Sequence, residues 1–88
     1  MVVSPESGMA RPIVLVDVRT PEEYRTGHKE GALNIPVDEV EQRAAQLLPD
    51  KNAVILLYCR TGKRADKALE VLRKMGYSHV ENLYRSEM

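Results

Sequence analysis

The stretch from Ala53 to Ala65, AVILLYC followed by RTGKRA, constrains this chain more than any other. Ala53 to Tyr58 is an unbroken apolar run of strand length, the kind that suits a parallel sheet buried on both faces. From Lys63 onward the apolar residues Ala65, Ala68, Leu69, Leu72 and Met75 fall on one helix face, with Lys67, Glu70, Arg73 and Lys74 turned to water. The chain's one cysteine, Cys59, therefore lies in the turn between a central strand and the start of a helix.

That position has chemical consequences. A helix N-terminus presents unpaired N–H groups and a partial positive charge, and Arg60, Lys63 and Arg64 add full cationic charges beside it. Such a setting favours the thiolate, the nucleophilic form of cysteine. The same donors suit an anionic substrate or leaving group. A lone cysteine at a strand end is ordinarily a small buried hydrophobe. Three basic residues and Gly62 in the five positions after it shift the balance toward chemistry.

An 88-residue chain with 43% hydrophobic and 30% charged residues is one small globular domain. We read residues 1–12 as a disordered or appended lead-in and 13–88 as the domain. Thirteen basic residues balance thirteen acidic ones, so no global field draws the protein to nucleic acid or membrane. Any preference for anions must be local. One cysteine excludes an internal disulfide and a cysteine-rich zinc site, and His28 and His79 lack ligand spacing. Neither a metal nor another cofactor is expected. No apolar run approaches the ~20 residues of a membrane span. The N-terminus lacks the pattern of a secretory signal, so the expected compartment is the cytoplasm, or the periplasm if a leader has been removed.

Ile13 to Val18 reads as a buried strand. Thr20, Pro21 and Glu23 then form a capping box with proline at the first helical position, and Gly27 ends that short helix. Ala32 to Ile35 reads as a brief strand broken by Pro36. A second helix is predicted from Asp38, with Glu41 as capping partner and Val40, Ala44, Leu47 and Leu48 as its buried stripe. The third helix stops at Gly76, and Val80 to Leu83 reads as a last strand. Alternating elements of this kind give an α/β fold: a small doubly wound parallel sheet of about four strands with helices on both faces. In such folds ligands bind beyond the carboxyl ends of the strands, where Cys59, Asp17 and Arg19 fall.

Taken together, Asp17-Val18-Arg19-Thr20-Pro21-Glu22-Glu23-Tyr24, Gly27-His28, Gly31-Ala32, Asn34-Ile35-Pro36, the Cys59 to Arg64 loop, Met75-Gly76-Tyr77 and Val80-Glu81-Asn82-Leu83 resemble a rhodanese domain. The likeness is closest to the short single-domain form of the phage-shock-protein-E type. It implies a thiosulfate sulfurtransferase in which Cys59 takes the outer sulfur as a persulfide, releases sulfite, and passes the sulfur to cyanide or a thiol. It also implies that backbone N–H groups of Arg60, Thr61, Gly62, Lys63 and Arg64 hold the persulfide, while the Arg60, Lys63 and Arg64 side chains bind the sulfonate. The implied partners are thiosulfate or another small sulfur donor, and a small thiol or thioredoxin-like protein as acceptor. Full-length family members carry further elements at both ends. One sheet face or edge is accordingly expected to be incompletely covered, with a monomer or weak dimer in solution.

Two rival readings share these features. Phosphatases and arsenate reductases of the cysteine-arginine type place five residues between the two, whereas four separate Cys59 from Arg64. A persulfide carrier or protein-binding module of low activity is the other. Asp17 and Arg19, on one side of a strand by the two-residue period, are read as structural with a supporting role at the pocket. His28 is read as a loop histidine bonded to backbone, and His79 as a surface residue.

Overall fold

The computed structural model describes residues 12–86, of which 12–84 are described with their side chains. Four strands form one parallel sheet: β1 (Ile13–Asp17), β2 (Leu33–Asn34), β3 (Val54–Tyr58) and β4 (His79–Asn82), in the order β2-β1-β3-β4. The helices between them are α1 (Pro21–Thr26), α2 (Val40–Leu47) and α3 (Lys63–Lys74), and a short α4 (Leu83–Ser86) follows β4. The order reverses between β1 and β3, because the chain steps one way to β2 and the other way to β3 and β4. Right-handed crossovers then place α1 on one face and α2 with α3 on the other.

The two faces differ in cover. Register pairs Val14 with Ile55 and Val16 with Leu57, while β4 brings Val80 beside Ile55. Those side chains meet Val40 and Ala44 of α2 and Ala65, Ala68 and Leu72 of α3 in the main core. Truncating Leu57 or Leu72 there to alanine costs about 2–5 kcal/mol. On the opposite face α1 buries none of its residues, Ile13 is 36% exposed, and Leu15, Val54 and Leu56 are only half-buried. Among the described residues this face is thinly covered.

Local differences from the sequence reading have physical causes. Residues 1–11 of the lead-in lie outside the described residues, but the Pro12 carbonyl accepts a hydrogen bond from Val54, so the sheet's bonding reaches back to it. The strand expected over Ala32 to Ile35 pairs only at Leu33–Asn34. Asp38 does not cap α2. With Pro36 at φ −53°, the chain enters a 3-10 turn over Val37–Glu39, closed by the Glu39 N–H on the Pro36 carbonyl at 2.8 Å, and Asp38 sits inside that turn without making a cap. Of the expected stripe, Val40 and Ala44 are buried in α2 and Leu48 just beyond it, while Leu47 is half-buried. The last strand begins at His79, so His79 is a half-buried strand residue rather than a surface one, and Leu83 opens a helical turn instead of extending the strand. Asn82 drives that change: its side-chain oxygen accepts the Tyr84 N–H at 3.0 Å, a local bond that competes with the ladder.

Candidate active site

The carboxyl ends of β1 and β3 lie side by side, with Asp17 opposite Tyr58. Past Tyr58 the chain leaves the sheet, and Cys59 is buried at 8% exposure as a free thiol. The loop returns at once into α3. That requires Gly62, which stands at φ +89° in the left-handed region open to glycine. It turns the Gly62 N–H onto the Cys59 Sγ at 3.0 Å. The first-turn amides of α3, which have no partner within the helix, open at the same loop. Thr61 holds its own bend, its hydroxyl accepting the Lys63 N–H at 3.5 Å.

Two distant parts of the chain brace this loop. Asn82, 4% exposed, donates to the Gly62 carbonyl and to the Asp66 carboxylate, each at 2.8 Å. The Tyr84 ring packs so closely that a Cβ on Gly62 would come within 2.6 Å of it. Arg64, on the first turn of α3, donates to both oxygens of Glu23 at 2.7 and 3.1 Å. Glu23 also closes the capping box of α1, accepting the Thr20 N–H at 2.9 Å. The Arg64 hydrogen bonds, followed by the Thr20 amide, hold the Glu23 carboxyl down at about 2.

Asp17 and Arg19 form a second brace. Asp17 is fully buried, and Arg19 donates to its two oxygens from Nε, Nη2 and the backbone at 2.7–3.1 Å. Burial pushes the Asp17 carboxyl up, but the bonds from Arg19 outweigh it and leave the group below its ordinary value. Arg19 also donates to the Gly27 carbonyl at 2.6 Å, tying down the loop after α1. Lys29 in that loop donates its N–H to the Tyr58 hydroxyl at 2.9 Å, and Tyr24 bonds the Ala32 carbonyl at 2.6 Å. His28 stacks on Tyr24 with ring centroids 3.6 Å apart and places Nδ1 2.8 Å from its carbonyl, the backbone-bonded role read from the sequence.

Between the two loops lies a cavity of about 360 Å³ lined by Arg19, His28, Lys29, Tyr58, Cys59 and Arg60. The structure thus brings Arg60 and Arg19 to the space in front of the cysteine. Lys63 and Arg64 do not line it, and Arg64 is held by Glu23. Among the described residues, no group of histidine, cysteine and carboxylate side chains is arranged to hold a metal ion. What the arrangement can do is present a sulfur nucleophile, with a backbone donor on it, to an anion in a cationic recess.

A family model described as a rhodanese-like domain matches residues 6–86. The chain belongs to the rhodanese family. It is 49% identical over 67 residues to the thiosulfate sulfurtransferase PspE of Escherichia coli, a match covering 76% of this chain and 64% of that protein. A putative sulfur carrier protein of Bacillus subtilis, YrkF, is 38% identical over 69 residues, covering 78% of this chain and 36% of the relative. The chain therefore spans less than two thirds of these relatives. Among solved structures, a rhodanese with anions from E. coli superposes with a TM-score of 0.76 at 47% identity, over 80% of this chain and 82% of that one. The human single-domain sulfurtransferase TSTD1 gives 0.69 at 34% identity, over 93% and 85%. The four-stranded parallel sheet predicted from the sequence is thus the rhodanese fold.

Sequence reasoning missed Lys29, Tyr58 and Glu23 as members of the site. For Tyr58 a signal existed: strand parity sets it on the Asp17 side once β1 and β3 are paired in register. The bond from Arg64 to Glu23 was not legible, because the two lie 41 residues apart. Nothing local marks Lys29.

Proposed function

We propose that this rhodanese domain is a thiosulfate sulfurtransferase acting through a persulfide on Cys59. The observation that carries the reading is the Gly62 N–H on the Cys59 Sγ at 3.0 Å, at the edge of a cavity walled by Arg19, Lys29 and Arg60. In the first half-reaction the Cys59 thiolate attacks the outer sulfur of thiosulfate. The bond between the two thiosulfate sulfurs breaks, and sulfite leaves with its electron pair. The persulfide keeps one negative charge on its terminal sulfur, and we assign the loop amides from Arg60 to Arg64 as its donors. In the second half-reaction cyanide or a thiolate attacks that sulfur, and the pair returns to Cys59.

Arg60 is our choice for the sulfonate, with Lys63 contributing charge from the loop. Arg64 acts through position: its bond to Glu23 sets the first turn of α3, and with it the Cys59 loop. Asp17 and Arg19 stiffen the floor. The likeness to the anion-bearing E. coli rhodanese supports an anionic substrate, and the likeness to a putative sulfur carrier supports a thiol or thioredoxin-like protein as the natural acceptor.

Steady-state kinetics with thiosulfate and cyanide varied together test this reading. A covalent intermediate gives parallel double-reciprocal lines. Converging lines, or turnover of a phosphate ester in place of thiosulfate, would contradict it.

A further inference from the structure

The cavity in front of Cys59 is larger than the sulfur donor needs. Its volume of about 360 Å³ lies at the lower end of the roughly 300–1,000 Å³ usual for small organic ligands. Thiosulfate, with only five heavy atoms, does not fill a recess of that size. The wall is also unbalanced in charge. Arg19 is neutralised by Asp17, and Arg64, outside the lining, by Glu23. Lys29 and Arg60 have no carboxylate partner among the described residues, and no acidic side chain lines the cavity; Glu30, next along the loop, stands outside the lining.

Lys29 lines the same cavity as Cys59. Its backbone N–H is fastened to the Tyr58 hydroxyl at 2.9 Å, and its ammonium lies 5.5 Å from the centroid of the Tyr58 ring. Tyr58 immediately precedes Cys59. The loop carrying Lys29 is pinned again by Arg19 on the Gly27 carbonyl and by Tyr24 on the Ala32 carbonyl.

We propose that Lys29, together with Arg60, selects the sulfur acceptor: the space beside the persulfide takes a small organic thiol by a carboxylate, and Lys29 is the residue that sets this preference. The inference rests on the sulfur-transfer reading above. In the step it serves, the acceptor thiol loses its proton to solvent and its thiolate attacks the outer sulfur of the Cys59 persulfide. One S–S bond forms, the bond to Sγ breaks with its pair returning to Cys59, and the product leaves as a persulfide. One sulfur atom is transferred, and no further oxidant or reductant enters.

The test uses the full chain loaded with thiosulfate, with loading checked by intact mass before any acceptor is added. The second half-reaction is then timed with 3-mercaptopropionate, 2-mercaptoethanol and cysteamine, on wild type, Lys29→Gln and Lys29→Glu. Comparing variants by the ratio of rates cancels the intrinsic reactivity of each thiol. Losing one charge-assisted hydrogen bond should lower the ratio of 3-mercaptopropionate to 2-mercaptoethanol by roughly ten- to a hundredfold in Lys29→Gln. Lys29→Glu should turn the preference toward cysteamine, and added salt should erode the wild-type preference. Equal ratios in all three proteins would overturn the inference while leaving sulfur transfer standing. A wild-type protein that never takes up sulfur would overturn both.

Discussion

The guanidinium of Arg64, at the start of α3, grips the carboxylate of Glu23 in α1 at 2.7 Å across 41 residues of chain. Because Glu23 also caps its own helix, one carboxylate couples the entry of α1 to the loop that carries Cys59. Arg64→Ala should therefore damage catalysis through geometry. We expect kcat/KM for thiosulfate to fall by up to about a hundredfold, the scale of a small misplacement of reacting groups. Glu23→Gln should do the same in milder form. If Arg64 instead touched substrate, Arg64→Ala would weaken thiosulfate binding and Glu23→Gln would spare it, so a comparison of KM in the two variants separates the cases.

The same pair sets a pH dependence. Glu23 titrates at about 2 in the folded protein against an ordinary 4.5, so its contribution to stability is fully present above about 4.5. It is lost as the pH falls from there toward 2. Thermal melts between pH 6 and 2 should show the wild type losing Tm across that window. The Glu23→Gln variant should start lower and fall less steeply. Parallel curves would mean that the ion pair carries no acid sensitivity.

Gly62 is constrained twice, by its backbone angle of +89° and by the Tyr84 ring against its hydrogen. A side chain in that backbone region costs about 1–2 kcal/mol before any clash. Gly62→Ala should therefore lower the denaturant midpoint and shift the N–H that meets Cys59. Adding Tyr84→Ala removes the clash but not the backbone strain, so the double variant should recover only part of the loss. Full recovery would show that the ring alone demands glycine.

Much of this site could be read from the chain because its signals are local. The Thr20 to Glu23 box, the stripe of Ala65, Ala68 and Leu72, and the cysteine loop closing on Gly62 each lie within a few residues. What escaped depends on distance or competition. Arg64 reads as a substrate ligand until Glu23 is seen beside it, and Lys29 carries no local signal until the Tyr58 hydroxyl is seen to hold its backbone. Asp38 looks like a cap, but the proline two residues earlier winds the entry into a 3-10 turn first. Asn82 looks like the middle of a strand, yet its side chain ends the strand.

Asn82 also carries a prediction of its own. Its amide joins β4 to Gly62 and Asp66, and its oxygen receives Tyr84. Asn82→Ala should cost about 1–3 kcal/mol for the buried groups left unpaired, read as a lower urea midpoint at unchanged slope. Activity at low temperature should fall with it, because the loop loses its brace. A variant with wild-type stability and activity would remove Asn82 from this account.

The central claim is that Cys59 carries sulfur. Incubating the protein with thiosulfate, removing excess reagent and weighing the intact chain tests it directly. The account predicts a gain of one sulfur atom, reversed by cyanide or a thiol and absent in Cys59→Ser. An unchanged mass in the wild type, or an equal gain in the serine variant, would contradict it.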